Sequence, residues 1–323
     1  MTERKPTPEG VAAAAKRVAP HVVRTPLLPL EWRGVRLWAK AECLQEGGSF
    51  KLRGATNRLL LLDEAKRRRG VVAFSSGNHA QGVAIAARRL GIPATIVMPS
   101  DAPAVKRDST LAAGARIVAY DRATESREQI AAALAEAKGA TLVPSFDDVD
   151  VIEGQGSTGI EIGEQLGAVP DRILVPCGGG GLSAGIALAQ PDSRVLTVEP
   201  EGWDDMARSL EAGAPVPVDE PAPPTLCDAL QTKLVSPLTL SALSAAGARG
   251  LWVSEAEIEL AMAFAARHLR IVAEPGGAVA LAALLAGKAG EVTERTVVVV
   301  SGGNVDPALY AEILERQAAE AVR

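Results

Sequence analysis

Short apolar runs alternate with amphipathic stretches along most of the chain. Runs at 36–40, 71–74, 94–98, 117–120, 141–143, 172–176, 194–199 and 296–300 are too short for buried helices and are read as strands. Between them the spacing of apolar residues turns helical at 8–19, 52–69, 79–90, in a stretch ending at 113, and at 124–138, 156–166 and 181–189. Further helices are expected at 255–269 and 276–287, with a last one from Pro307. Thr7 before Pro8 suits a helix cap with proline in the first turn. Gly114 and Gly247 each stand between an Ala-rich helix end and a strand, where glycine closes a helix. Strands that alternate with helices through short connections predict an α/β protein with two open, mostly parallel twisted sheets. Segments 70–147 form a compact set of strand–helix units, expected to be a smaller domain. Residues 1–62 and 148–323 are expected to form the larger one, and a Pro-rich passage at 215–224 interrupts its alternation.

Composition narrows the core and the partners. The chain has 323 residues, with 47% hydrophobic but only 3% aromatic residues, so the core must be built from Ala, Val, Leu and Ile. Thirty-one glycines allow close helix–sheet packing. A formal charge of -5 provides no long-range attraction to nucleic acid or to an anionic membrane. The basic run Lys66-Arg67-Arg68-Arg69 ends a helix, where cations suit the dipole, and is read as a solvated helix end. Cys43, Cys177 and Cys227 show neither a disulfide framework nor metal-ligand spacing. The polar N-terminus lacks the apolar stretch of a signal peptide, and no run approaches the roughly 20 apolar residues of a membrane span. The expectation is a reducing, cytoplasmic compartment.

Candidate chemistry begins at Gly47-Gly48-Ser49-Phe50-Lys51-Leu52-Arg53-Gly54-Ala55. Two glycines free the backbone for a close approach, and Ser49 is a candidate N-cap. Lys51 then falls in the first helical turn, where the dipole disfavours a cation. Apolar neighbours would desolvate its amine, lower its pKa and free it as a nucleophile. Cys177-Gly178-Gly179-Gly180-Gly181-Leu182 follows an apolar strand and opens a helix. Its consecutive N–H groups at a helix N-terminus suit a phosphate, and the absence of a following Gly-Lys-Ser/Thr argues against a nucleoside-triphosphate loop. Ser75-Ser76-Gly77-Asn78-His79 lies at another strand–helix junction and could receive a carboxylate, and Ser301-Gly302-Gly303-Asn304 repeats the geometry. All are at strand C-terminal ends, the edge where open α/β sheets bind ligands. Gly154-Gln155-Gly156-Ser157-Thr158-Gly159 matches a dinucleotide fingerprint, but no convincing strand precedes it.

These four ordered motifs resemble those of fold type II pyridoxal-phosphate enzymes, most nearly the threonine/serine dehydratase and serine racemase group, and the resemblance covers nearly the whole chain. It departs at Gly47, where relatives often carry threonine. Only 22 residues follow Ser301, so no C-terminal regulatory domain is expected. The resemblance implies a large domain that binds pyridoxal 5′-phosphate and a smaller, mobile one. It implies that Lys51 holds the cofactor as a Schiff base and removes the α-proton. Phe50 would flank the ring, Asn78 would bond its 3′-oxygen, and Ser301 its nitrogen. Gly178, Gly179, Gly180, Gly181 and Leu182 would hold the phosphate. Ser75, Ser76, Asn78 and His79 would receive the substrate, with Ser76 on the face opposite Lys51. Glu199, Trp203 and Asp205 sit where some relatives hold Mg²⁺ or Ca²⁺; a solvated helix start is the other reading of that acidic segment.

The expected activity is dehydration and deamination of small β-hydroxy amino acids, L-threonine or L-serine, to a 2-keto acid and ammonia, by a homodimer. Serine racemase and 3-hydroxyaspartate dehydratase are the alternatives within this chemistry. From other classes, a dinucleotide-binding dehydrogenase built on the Gly154 fingerprint and a non-catalytic ligand-binding relative remain open.

Overall fold

The computed structural model describes residues 4–102 and 104–320. Ten strands form two sheets: β1 Leu27–Trp32, β2 Val35–Ala41, β3 Val71–Phe74, β4 Ala94–Pro99, β5 Arg116–Tyr120, β6 Thr141–Leu142, β7 Arg172–Pro176, β8 Arg194–Pro200, β9 Arg249–Val253 and β10 Thr296–Val300. The six-stranded sheet runs β1-β2-β10-β7-β8-β9 and the four-stranded sheet β5-β4-β3-β6. Every pairing is parallel except β1 with β2, so the expected pair of mostly parallel sheets is present. The sequence Thr-Val-Val-Val-Val of β10 has no polar alternation because helices cover both faces, and all five residues are buried. The helix Pro275–Leu285 is buried at every position, and its Gly and Ala residues let it lie close on the large sheet. Among the described residues, no helix is long and apolar enough to cross a membrane.

Three local expectations are corrected. The first strand of the large sheet, β1, was not anticipated. It pairs back onto β2 through Arg33 and Gly34, both at positive φ (49° and 78°), the backbone a two-residue hairpin requires. An arginine in that conformation hides the turn, and Pro29 within β1 is tolerated because the strand is at an edge. The helix expected over 52–69 is two helices, Lys51–Leu60 and Glu64–Arg69. Asp63 starts the second by accepting from Lys66 N at 2.7 Å, and Gly70 ends it at φ 86°. Ser49 is not a helix cap: its backbone is extended and forms a bridge with Gly302.

The doubt about the dinucleotide fingerprint is borne out. Asp148 caps an unanticipated helix, Val149–Gln155, and the next, Ser157–Leu166, follows directly, so no strand leads into Gly154. Its glycines mark helix–helix contacts instead. A Cβ on Gly154 would strike Gly54 and Asn57, and one on Gly156 would strike Gly185 and Val11. Small residues there let helices Lys51–Leu60, Val149–Gln155 and Gly181–Ala189 approach closely, which holds the lysine helix against the large sheet's helical layer.

Candidate functional site

The site assembles where the C-terminal ends of β3, β7 and β10 converge. Lys51 is the first residue of its helix, and the loop before it is fastened to the end of β10. Phe50 N donates to Ser301 O at 3.1 Å and Gly303 N to Gly48 O at 2.9 Å. Asn304 Nδ2 donates to Gly47 O at 2.7 Å and to Asn78 Oδ1 at 2.8 Å. The lysine loop, the Ser75–His79 junction and the Ser301–Asn304 junction thus meet, although they are far apart in sequence. Ser301 itself is buried. Ser76 is half-buried, and its hydroxyl has no protein partner among the described residues. Ser75 Oγ accepts from Gly77 N at 3.1 Å and so shapes the turn.

Lys51 Nζ donates to Ser145 O at 3.0 Å and lies 5.0 Å from the Phe50 ring centroid. Burial pushes its pKa down to about 8, against the opposing pull of the Glu274 carboxylate. His79 Nε2 donates to Val143 O at 2.8 Å, which leaves Nδ1 as a buried acceptor with no partner among the described residues. Burial and the Lys51 charge lower the His79 pKa to about 3, so this imidazole is neutral. This imidazole is therefore a poor base at neutral pH, and the Lys51 amine, with its lowered pKa, is the stronger candidate.

The fourth motif meets the lysine through the segment 143–146. The Phe146 ring lies on the glycine loop, and a Cβ on Gly179 would fall into that ring. Gly180 has φ 83°, and a Cβ there would strike Met206. The amides of Gly178, Gly179, Gly181 and Leu182 find no protein acceptor among the described residues. Buried N–H groups are rarely left unpaired, and these stand at the N-terminus of the nine-residue helix Gly181–Ala189. The donor set suits a phosphate group close to a nucleophilic lysine.

Three participants were not anticipated. Glu274 Oε1 accepts from Asn78 Nδ2 at 2.5 Å, and Glu274 N donates to Gly302 O at 3.0 Å. A glutamate directly before Pro275-Gly276-Gly277 at a helix start was the available signal. Ser145 enters through its carbonyl oxygen and Phe146 through its ring, and a carbonyl carries no sequence signature.

Beneath the glycine loop, Glu199 and Asp205 are fully buried, which overturns the solvated reading of this segment. Glu199 accepts from Met206 N at 2.9 Å and Ala207 N at 2.8 Å. Both Asp205 oxygens are buried next to the Glu199 carboxylate, with no N–H or O–H donor on them among the described residues. Burial raises the Asp205 pKa to about 7, and burial together with the Asp205 charge pushes Glu199 well up. Trp203 Nε1 is already bonded to Pro223 O at 2.8 Å, which leaves only its backbone carbonyl for any ligand. Among the described residues, no group of three His, Cys, Asp or Glu side chains could hold a metal, so a cation here would complete its shell with carbonyls and water.

Comparison with known proteins follows the same lines. The profile of the pyridoxal-phosphate dependent enzymes matches residues 18–303. The L-threo-3-hydroxyaspartate ammonia-lyase of Pseudomonas sp is 45% identical over 94% of this chain and 97% of its own. Maize serine racemase superposes with a TM-score of 0.89 at 34% identity, covering 99% of this chain and 100% of its own. The serine racemase of Dictyostelium discoideum superposes with a TM-score of 0.85 at 34% identity, covering 93% and 99%. A profile match across most of the length, joined to a shared fold and close relatives, makes this chain a member of the pyridoxal-phosphate dependent enzyme family.

Proposed function

We propose that this chain is an ammonia-lyase that removes the β-hydroxyl of small β-hydroxy amino acids and releases a 2-keto acid and ammonia. The observation that carries this reading is the Lys51 amine, held by Ser145 O beside a loop of unpaired amides, with a pKa brought down to about 8. Bound pyridoxal phosphate would supply the electron sink that makes the α-proton acidic. Lys51 would hold the cofactor covalently and, once displaced by the substrate amine, take the α-proton. Gly178, Gly179, Gly180, Gly181 and Leu182 would receive the phosphate. Phe50 would flank the ring, Asn78 would meet its 3′-oxygen and Ser301 its nitrogen. The hydroxyls of Ser75 and Ser76 and the backbone N–H groups of Asn78 and His79, at the start of their helix, would hold the substrate carboxylate, with Ser76 facing the α-carbon from the side opposite Lys51. We take 70–147 as the smaller unit that closes on substrate, and a homodimer in the cytoplasm as the working form; three buried free thiols suit a reducing compartment.

A second reading, 3-hydroxyaspartate as the preferred substrate, is favoured by the L-threo-3-hydroxyaspartate ammonia-lyase that is 45% identical to this chain. The test is a panel of L-threonine, L-serine and L-threo-3-hydroxyaspartate given to the cofactor-loaded protein, with keto acid, ammonia and the chirality of residual substrate scored. Keto acid and ammonia in equal amounts are expected, with the highest kcat/KM on the hydroxy dicarboxylate. Inverted substrate without keto acid would make the protein a racemase instead.

Glu199, Asp205 and the Trp203 carbonyl are proposed as ligands of Mg²⁺ or Ca²⁺. The Asp205 carboxylate, buried beside Glu199 with no donor among the described residues, supports this, because an oxygen-loving dication would stabilise both charges. Addition of Mg²⁺ or Ca²⁺ to chelator-treated protein is expected to raise its thermal midpoint, and Asp205→Asn to abolish that rise. A calorimetric titration with no divalent-ion binding would remove the metal from the proposal.

A further inference from the structure

Two residues beyond Lys51, Arg53 carries a guanidinium from which solvent is wholly excluded. Nε and Nη2 donate to the two oxygens of Glu42 at 2.7 and 2.8 Å. Nη1 and Nη2 donate to the two oxygens of Glu161 at 2.7 and 2.9 Å. Lys40, equally buried, donates to Glu161 Oε2 at 2.6 Å, Gln165 Oε1 at 2.9 Å and Thr25 O at 2.8 Å. Thr25 Oγ1 completes the group by donating to Glu42 Oε1 at 2.5 Å. Two cations and two anions thus join β2, the turn after it, the first turn of the lysine helix and the helix Ser157–Leu166.

Stability alone does not account for this cluster. Desolvating four charges offsets much of their attraction, and apolar side chains of similar volume often serve a core equally well. What apolar side chains cannot do is fix direction. A planar guanidinium gripped on two edges by two carboxylates admits one orientation, so it sets the rotation of the turn that bears it. Other contacts on the same turn are less directional. Gly54 N donates to Gln155 Oε1 at 3.0 Å, and Gly82 lets the helix Asn78–Arg89 pass close to the Lys51 backbone. The Lys51 amine must nevertheless reach one spot between Ser145 O and the glycine loop, and a small rotation of the turn would carry it away.

We propose that Arg53 is a positioning residue, whose clamp by Glu42 and Glu161 holds the first turn of the helix so that Lys51 presents its amine to the cofactor site. This role rests on the assignment of Lys51 as the cofactor lysine. The titratable groups that bear on that amine are Glu274, from the start of helix Pro275–Leu285, and His79, from helix Asn78–Arg89. Neither belongs to the clamp, so changes in the clamp reach the amine only through its position.

The experiment uses the full chain stripped of cofactor and follows covalent capture of added pyridoxal phosphate by visible absorbance. Borohydride reduction and peptide mapping then locate the adduct. One variant replaces all four charges, Lys40→Met with Glu42→Gln, Arg53→Met and Glu161→Gln; the other is Arg53→Lys, which keeps the cation but loses the fork. Both are expected to melt cooperatively yet capture cofactor at least about tenfold more slowly, since small misplacement of a reacting group is costly. The half-maximal pH for capture should also move from about 8 toward the ordinary lysine value as the amine becomes hydrated. A purely structural cluster would lower the melting midpoint and leave the capture rate and pH midpoint of the folded protein at parental values, which overturns the proposal. Where the fourfold variant does not fold, Arg53→Lys and Glu161→Gln decide by the same readouts. Should the parent itself form its adduct at another lysine, the assignment of Lys51 falls first, and the two failures are told apart.

Discussion

Lys51→Ala will leave a folded protein that no longer attaches pyridoxal phosphate covalently and turns over its hydroxy amino acid at least about 10²–10⁴-fold more slowly. Among the described lysines, this one combines a lowered pKa, a hydrogen bond to Ser145 O at 3.0 Å and a place beside the unpaired amides of the glycine loop. Lys40, which is also buried, is spent on Glu161, Gln165 and Thr25 O. The same lowered pKa makes two further demands. Covalent capture of the cofactor should rise with pH and reach half its maximum near about 8, because only the unprotonated amine attacks. Stability of the cofactor-free protein should move with it. The unfolded chain keeps the lysine proton to a higher pH than the folded one, so the buried amine costs stability fully below about 8 and less as pH rises from there. Lys51→Met should therefore raise the thermal midpoint of the cofactor-free protein at neutral pH while activity disappears. Retained covalent capture or retained turnover in either variant would move the reactive amine elsewhere.

Gly179→Ala is expected to weaken cofactor binding at least about tenfold with little effect on the large sheet, since overpacking by one methyl typically costs about 1–3 kcal/mol. The reason is local. A Cβ at this position would fall into the Phe146 ring, while the Gly179 amide is one of those left for a phosphate. Either the ring or the loop has to give way, and the ring belongs to the segment whose Ser145 carbonyl holds the Lys51 amine. A double-mutant cycle identifies the cause. Phe146→Ala combined with Gly179→Ala should recover cofactor affinity relative to Gly179→Ala alone, measured by fluorescence titration. Additive losses would mean that the methyl acts on the phosphate cradle itself and not through the ring.

The clamp and the glycine loop have different physical roles around one amine. Arg53 acts from within the protein and bears on where the lysine points. The loop at the end of β7 and the Ser75–Asn78 junction bear on what the lysine meets. Asn78 ties that junction to Glu274 and to the Ser301–Asn304 turn, because its amide donates to Glu274 at 2.5 Å and accepts from Asn304 at 2.8 Å.

The amino-acid sequence by itself determined the α/β class, most strands and helices, and the four motifs at strand ends. Those are local properties: the all-apolar run of β10 suits only a strand covered on both faces, and the four glycines after β7 expose amides wherever the chain goes. Elements whose signals are mixed were hidden, as in the hairpin of β1, where Arg33 occupies a conformation that usually favours glycine. The break after Leu60 escaped notice because leucines continue through it, and only Asp63 shows that a second helix begins. Tertiary structure alone decided three matters. It gave the Gly154 fingerprint to helix packing, since glycine looks the same beside a phosphate and beside another helix. It buried Glu199 and Asp205, and two carboxylates at that spacing have no fixed meaning until water is removed from them. Finally it brought Glu274 to Asn78 across 196 residues and Ser145 to Lys51 across 94, contacts made by a lone carboxylate and a backbone carbonyl that only the folded chain can assign to a site.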